Sequence, residues 1–335
     1  MRPGARNLIT DVAGILVGNA EDVGARTGTT VVLAEEPCVA GVDVRGGAPG
    51  TRETDLLDPT CLVDRVDAMV LSGGSAFGLD AAGGAMAWLA ARGRGFPVGS
   101  ARVPIVPAAI LFDLLNGGDK DWGEVPPYRA LGRAACEAAA PLFEQGNRGA
   151  GMGARAGALK GGLGSVSAEA PDGLIVGAIV AANPIGSPVM GDGPTLWAWA
   201  LEQDGELGHQ RPPRAPVGLD ADPARPPQAG GATTIAVVAT NASLTPAEAR
   251  RVAIMAHDGI ARAVRPAHTP YDGDTVFALA TGAWTGNHGP ALVARAGAMA
   301  ADCVARALAR GVVLAEDLGD MACWRTRHGT RPGAP

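Results

Sequence analysis

The stretch Thr233-Thr234-Ile235-Ala236-Val237-Val238-Ala239-Thr240 decides how this chain is organised. It begins abruptly after residues 203–232, which are polar, rich in proline and glycine, and the best linker candidate in the sequence. Such a run of β-branched and small apolar residues predicts a buried strand. Because the strand opens on two hydroxyl side chains, it can hold a nucleophile at its first position, Thr233.

An acidic pair, Asp272 and Asp274, leads into a second apolar run at 276–280. Two carboxylates beside a strand start can hold an N-terminal ammonium and a hydroxyl in register. With Thr233, they predict an enzyme whose catalytic threonine becomes a new N-terminus. The Thr233 hydroxyl would attack the carbonyl of Ala232. Hydrolysis of the resulting ester would free an α-amine, whose ordinary pKa of about 7.7 to 8.0 suits a general base.

The composition is that of a globular α/β protein. Of 335 residues, 47% are hydrophobic, 19% are charged and only 4% are aromatic, so the core must consist of Ala, Val, Leu and Ile. We expect one domain or two closely packed halves. The net charge is −6 and no Lys/Arg block occurs, so we expect no nucleic-acid partner.

The sequence also argues against a membrane or metal role. No apolar stretch approaches the roughly 20 residues that span a bilayer, and the N-terminal residues lack an export signal. Five cysteines form no CxxC spacing, and five histidines show no metal-ligand spacing. We therefore expect reduced thiols, no metal site and a cytoplasmic location.

The order of elements suggests sheets packed face to face with helices outside. The apolar patterns predict a β-meander over 7–48, a strand, tight turn and helix over 68–92, a helix over 128–144, a strand over 174–180, a helix from the capping box of Thr245 and Glu248 to about 264, and a last helix over 292–310 that stops at Gly311.

Three other residues are candidates on local grounds. Ser75 lies on a strand-to-helix turn, although its spacing is not G-x-S-x-G, and a turn facing a pocket is the alternative. Lys160 is one of two lysines among 28 basic residues, and could stabilise negative charge or be a solvated loop residue. Asn183 could donate to an oxyanion or simply form an Asn-Pro turn.

Several short motifs, in this order, resemble those of the L-aminopeptidase/D-esterase (DmpA-like) family of self-processing N-terminal-nucleophile hydrolases, and within it the nylon-oligomer (6-aminohexanoate-oligomer) endohydrolases. The resemblance covers roughly residues 7–310. Its carriers are Val-Asp-Val-Arg-Gly-Gly at 42–47, Leu-Ser-Gly-Gly-Ser-Ala-Phe-Gly at 71–78, Ala-Leu-Gly-Arg-Ala at 130–134, Gly-Ala-Gly-Met-Gly at 149–153, Ala-Asn-Pro-Ile-Gly at 182–186, Thr-Thr-Ile at 233–235 and Asp-Gly-Asp-Thr at 272–275.

The resemblance implies a role for each matching residue. Thr233 is the nucleophile exposed by cleavage after Ala232, Asn183 contributes to the oxyanion site, and Lys160 assists. Asp272 and Asp274 orient the N-terminal threonine. The substrate-binding residues are expected among Tyr128, Phe77, Ser75 and Thr234, where either Tyr128 or Phe77 corresponds to the family's substrate-contacting tyrosine.

The resemblance also implies a layered α/β/β/α sandwich with no metal or organic cofactor. Residues 1–232 form a larger chain and 233–335 a smaller one within one globular unit, assembled into homo-oligomers as a tetramer of processed heterodimers. Thr233 and the two aspartates match the nylon-oligomer branch, whereas Ala232 stands where that branch carries Asn. The implied activity is cleavage of linear amides through an acyl-threonine.

Other functions stay open at this point. The chain could be an aminopeptidase on L- or β-aminoacyl amides, or an acyltransferase that passes the acyl group to an amine. From a different class, it could be an uncleaved, non-catalytic member of the fold.

Overall fold

The structure is a computed structural model, and it describes residues 1–213, 216–217 and 231–329. The described part contains thirteen strands: β1 (Ile15–Asp22), β2 (Thr27–Val44), β3 (Thr51–Arg52), β4 (Arg65–Ser72), β5 (Phe96–Val98), β6 (Ala101–Val103), β7 (Ala108–Ile110), β8 (Arg155–Ala156), β9 (Leu159–Lys160), β10 (Gly162–Glu169), β11 (Ile175–Asn183), β12 (Thr233–Thr240) and β13 (Thr275–Ala280). Half of the predicted linker at 203–232, namely residues 214–215 and 218–230, lies outside the described residues.

Five α-helices occur in the same described ranges: α1 (Ala81–Ala90), α2 (Tyr128–Glu137), α3 (Pro246–Ala263), α4 (Pro290–Leu314) and α5 (Trp324–His328). Short 3₁₀ turns lie at Ile9–Asp11, Asp55–Leu57, Ser75–Asp80, Gly149–Gly151 and Trp197–Leu201. The capping box predicted for α3 is confirmed, since the Thr245 hydroxyl accepts the N–H of Glu248 and the Glu248 carboxylate accepts the N–H of Thr245.

Two helix ends differ from the sequence-based expectations. Helix α2 ends at Glu137 rather than near 144, because Ala140 leaves the helix to pair with Val17 of β1 through two main-chain hydrogen bonds. Helix α4 continues through Gly311 instead of stopping there. A Cβ on Gly311 would lie 2.9 Å from the carbonyl oxygen of Gly162, so this glycine permits close packing of α4 on β10.

The expected β-meander is instead a hairpin of β1 and a long β2. The apolar runs at 29–33 and 39–44 belong to one strand, whose register shifts between Leu33 and Cys38. The first half of β2 pairs with β1 and β4, and the second half pairs with β13. Strand β2 therefore joins two halves of a sheet with the order β10-β11-β12-β13-β2-β4-β7-β3.

Three apolar layers arise from the alternation of side chains along these strands. One layer fills the space between the two sheet halves and contains Val32, Leu71, Ile179, Val237 and Phe277. A second lies between β10–β13 and the helices α3 and α4, and a third between β2, β4 and the helices α1 and α2. The predicted α/β/β/α sandwich is confirmed.

No helix within the described ranges has both the length and the apolar character needed to cross a bilayer.

Candidate active site

Thr233 is the first residue of β12, a strand buried along its whole length. Its neighbour in the antiparallel register is Asn183, the last residue of β11. Odd-numbered residues of both strands, such as Ile235 and Ala181, face the layer between the sheet halves. The side chains of Thr233 and Asn183 therefore lie on the same face, at the end of that layer.

The Thr233 hydroxyl donates to the carbonyl oxygen of Ala232, the residue immediately before it. The same carbonyl oxygen accepts the backbone N–H of Gly273 at 3.0 Å. A Cβ on Gly273 would lie 2.8 Å from the Thr233 Oγ1, so only glycine lets the main chain approach this closely. The carbonyl between Ala232 and Thr233 is thus held by two donors in a buried site.

Asp272 and Asp274 flank Gly273, and each is 1% exposed. Asp272 accepts the N–H of Ile185 at 3.1 Å, and the N–H and hydroxyl of Thr269 at 3.0 and 2.6 Å. Burial raises the pKa of Asp272, and the charge of Asp274 raises it further. Asp274 accepts the N–H of Thr234 at 2.7 Å, which fixes the peptide plane that follows Thr233.

Asn183 has both ends of its side-chain amide engaged. Its Oδ1 accepts the N–H of Arg155 at 2.8 Å, and its Nδ2 donates to the carbonyl oxygen of Phe112 at 3.1 Å. These bonds fix the orientation of the amide at the wall of a cleft. Asn183 is therefore held in place next to Thr233 by the loop after β7 and by β8.

A cleft of about 230 Å³ has in its wall Asn183, the register neighbour of Thr233, and Gly231, two residues before Thr233 in the chain. It is small for a site that would enclose a drug-sized ligand. Its walls combine apolar side chains with a few polar ones, and they comprise Phe112, Asp113, Leu115, Asn116, Gly153, Arg155, Asn183, Ile185, Gly231 and Met321.

Lys160 is completely buried, and its ammonium donates to the carbonyl oxygens of Gly151 and Gly161, both at 2.9 Å. Burial lowers the pKa of Lys160 to about 7, against the opposing effect of the Asp113 charge. Asp113 lines the cleft, and burial raises its pKa. The structure therefore excludes the alternative of a solvated loop lysine and sets Lys160 in the electric field of an acid in the cleft wall.

Tyr128 reaches this acid indirectly. Its hydroxyl lies 3.3 Å from the Thr27 hydroxyl, which donates to Asp113 at 2.6 Å. Burial raises the pKa of Tyr128, so the phenol stays protonated. Phe77 is half exposed and packs edge-on against Trp122, which packs edge-on against Tyr128 in turn.

The other two predicted substrate residues are held through their main chain. Ser75 has a φ of 52°, and its N–H donates to the carbonyl oxygen of Leu111 at 2.9 Å. The Thr234 side chain points to the opposite face of β12 from that of Thr233. It faces the apolar layer between the sheet and the helices α3 and α4, as Ala236 and Val238 do. Its hydroxyl is therefore on the opposite face from the Thr233 hydroxyl, and its N–H is the group that enters the site.

A metal could be held only by a group of suitable side chains. Within residues 1–213, 216–217 and 231–329, no three His, Cys, Asp or Glu side chains come together for this.

The family model described as peptidase family S58 matches residues 7–323 of this chain. The chain belongs to peptidase family S58. It is accordingly a hydrolase of amide or peptide bonds, and the resemblance inferred from the motifs is confirmed.

The chain is also similar to two curated proteins and to one solved structure. An uncharacterized aminopeptidase of Mycobacterium tuberculosis is 46% identical, with 98% of this chain and 99% of the relative covered. A 6-aminohexanoate-oligomer endohydrolase of Kocuria sp. is 32% identical, with 83% and 76% covered. The L-aminopeptidase D-Ala-esterase/amidase of Ochrobactrum anthropi, described as a variant of the Ntn-hydrolase fold, aligns with a TM-score of 0.68 over 95% and 88% of the two chains at 21% identity.

Three groups at this S58 site were not anticipated from the sequence. Asp113 had a visible signal, since it interrupts the apolar run Ile110-Leu111-Phe112-Asp113-Leu114-Leu115. The Gly273 N–H could not be predicted from the acidic motif, because residue types do not show which main-chain N–H groups face a site. His268 binds Asp274 with its Nδ1 at 2.7 Å, a contact that its position six residues earlier did not suggest.

Proposed function

We propose that this chain cuts itself between Ala232 and Thr233, and that the exposed Thr233 then hydrolyses linear amides through an acyl-threonine intermediate. One observation carries the proposal. The Thr233 hydroxyl contacts the carbonyl oxygen of Ala232, and the Gly273 N–H donates to the same oxygen at 3.0 Å. A positioned nucleophile and an oxyanion donor are the two parts that acyl transfer needs.

Self-cleavage proceeds in two steps, a shift of the acyl group from nitrogen to oxygen and the hydrolysis of the resulting ester. The Thr233 oxygen bonds to the carbonyl carbon of Ala232 while the carbon–nitrogen bond breaks, and the hydroxyl proton passes to the nitrogen of Thr233. Water then hydrolyses the ester, which leaves a carboxyl group on Ala232 and returns the hydrogen to the threonine oxygen. Negative charge on the carbonyl oxygen is stabilised by the N–H of Gly273.

In the mature enzyme, the free α-amine of Thr233 takes the proton of its own hydroxyl as that oxygen attacks the substrate carbonyl. Asn183, opposite Thr233 in the register, donates to the developing oxyanion. The amine returns the proton to the leaving amine, and water releases the acyl group. Asp272 and Asp274 hold the main chain around Thr233, and Lys160 supplies positive charge behind the cleft wall.

The cut would leave the two chains interlocked. Strand β12 begins the smaller chain, 233–335, and lies between β11 of the larger chain, 1–232, and β13 of its own chain. Its hydrogen bonds to β11 and the shared core layers hold the pieces together. We further propose that these heterodimers assemble into homo-oligomers.

Relatives support two substrate classes. The relative from Kocuria supports linear amides of the 6-aminohexanoate type, and the one from Mycobacterium tuberculosis, which matches over almost the whole chain, supports an aminopeptidase. A panel of anilides with free or acetylated amines, together with linear 6-aminohexanoate oligomers, separates them. Hydrolysis of acetylated anilides favours the linear amidase. Hydrolysis of free-amine anilides alone favours the aminopeptidase.

The intact mass of the purified protein tests self-cleavage. The wild type of 33.6 kDa should give pieces of about 23 and about 10 kDa, in proportion to residue number. Thr233→Ala should stay whole, and Thr233→Ser should still split because it keeps a hydroxyl. A wild-type chain that stays whole through long incubation overturns the proposal and favours the uncleaved, non-catalytic alternative.

A further inference from the structure

The carboxylates of Asp272 and Asp274 form a closely spaced pair at the start of β13, and each residue is 1% exposed. Two like charges in a buried site raise each other's pKa, because water does not screen them. The pair therefore depends on the hydrogen-bond donors that hold each carboxylate in place.

Neutral groups satisfy Asp272 within the described part of the chain. One oxygen accepts the N–H of Ile185, and the other accepts the N–H and hydroxyl of Thr269. These bonds orient the carboxylate without adding a charge. Asp274 has different partners.

His268 is in direct contact with Asp274. The Oδ2 of Asp274 accepts the backbone N–H of His268 at 3.1 Å and lies 2.7 Å from the Nδ1 of the same residue. Its other oxygen, Oδ1, accepts the N–H of Thr234 at 2.7 Å. Asp274 therefore bridges His268 to the peptide plane that directly follows Thr233.

Other titratable groups lie near His268 on neighbouring elements. The ring of His257, on α3, packs edge-on against the ring of His268 at 4.9 Å. Burial lowers the pKa of His257 to about 4, so this ring is neutral near pH 7. Behind it, on β2, the carboxylate of Asp43 lies 3.5 Å from the Nε2 of His257 and pairs with Arg45.

The backbone of His268 adopts a conformation that is uncommon for a residue with a Cβ. Its φ is 55°, in the left-handed region. This conformation allows the N–H and the Nδ1 of one residue to reach one carboxylate oxygen. Such conformations are retained where the surroundings hold them, often at functional sites.

We propose that His268 is a positioning residue for catalysis and acts through Asp274. Its backbone N–H and its imidazole ring hold the Asp274 carboxylate in place, and that carboxylate fixes the Thr234 N–H and with it the position of Thr233. This inference rests on the proposed role of Thr233.

The test compares His268→Gly and His268→Asn with the wild type. Both Gly and Asn tolerate a positive φ, but only Asn keeps a side-chain donor near the Nδ1 position. For anilide hydrolysis by the mature enzyme, His268→Gly should lower kcat ~10-fold while KM changes less than ~2-fold, because the Asp274 carboxylate is no longer held, and His268→Asn should restore most of kcat.

The matched control is His288→Asn, because His288 is an exposed histidine and the kcat and KM of this variant should equal those of the wild type. A wild-type kcat in His268→Gly overturns the inference, and so does an equal loss of kcat in His268→Gly and His268→Asn. If His268→Gly matures poorly, its precursor should cut itself more slowly than the His268→Asn precursor, and equal rates overturn the inference. A wild type that never splits overturns the proposed function instead.

Discussion

Gly273 donates its backbone N–H to the carbonyl oxygen of Ala232 at 3.0 Å, across the bridge that joins residues 232 and 272. This contact puts an oxyanion donor on the bond that precedes Thr233. It lies between two buried carboxylates, and a side chain at position 273 would meet the Thr233 hydroxyl. The donor for the proposed self-cleavage is therefore a main-chain group, separate from the Asn183 amide proposed for substrate turnover.

Gly273→Ala should slow self-cleavage by ~10²–10³-fold, the usual cost of losing one oxyanion donor. The new Cβ would lie 2.8 Å from the Thr233 oxygen and 2.7 Å from the Ala48 carbonyl oxygen, so the N–H must move away from Ala232. The uncut fraction over time, from intact mass, measures this. Gly193→Ala is the control, since its Cβ would meet nothing nearer than 3.6 Å. Equal rates in the two variants would contradict the assignment of Gly273.

Asn183→Ala should still cut itself at close to the wild-type rate, because the donor for that step is Gly273. Amide hydrolysis by the mature protein should fall ~10²–10³-fold. The variant also leaves the Arg155 N–H and the Phe112 carbonyl without their partner, at a cost of ~1–3 kcal/mol of folding free energy for each. Intact mass and a chromogenic anilide assay on one preparation give both rates. Full anilide activity would exclude Asn183 from the oxyanion site.

The free energy of unfolding should depend on pH through Lys160. Its pKa is about 7 in the folded protein against 10.5 ordinarily, so between these values the unfolded chain binds more protons at this group. Stability relative to Lys160→Met should therefore rise as the pH rises from 7 to about 10, and stay level below 7. Urea unfolding of both proteins at matched pH gives the difference, in which other titrating groups largely cancel. A difference that does not change with pH would contradict the prediction.

Arg306 of α4 and Glu206 form a buried ion pair, with side chains 4% and 5% exposed and contacts of 2.5 and 2.9 Å. The pair joins the segment before the proposed cut to the segment after it. Arg306→Ala should lower the free energy of unfolding by ~3–5 kcal/mol, because it leaves the Glu206 charge buried and unpaired.

The control for this pair is Arg262→Ala, which breaks the ion pair of Arg262 and Asp302. The Arg262 side chain is half exposed. Breaking this pair should cost ~0–1 kcal/mol. Urea unfolding of each variant measures both values, and similar losses in the two would show that burial is not the deciding factor.

The sequence by itself determined the features that depend on near neighbours in the chain. The apolar run after Thr233 predicts β12, the Thr245–Glu248 capping box marks the start of α3, and the acidic motif precedes β13. The order of the predicted elements also suggests sheets packed face to face with helices outside, and the family resemblance implies the layered sandwich. These are local patterns, and burial of apolar surface enforces them.

Only the tertiary structure decided which groups meet around Thr233. Asp113 comes into the field of Lys160, and His268 onto Asp274, through sheet pairing and loop packing that no spacing in the sequence specifies. The same holds for α4, which passes Gly311 because that glycine packs closely on β10. Contacts between distant segments depend on the register and closeness of whole layers, so the chemistry of the site becomes visible only when the layers are assembled.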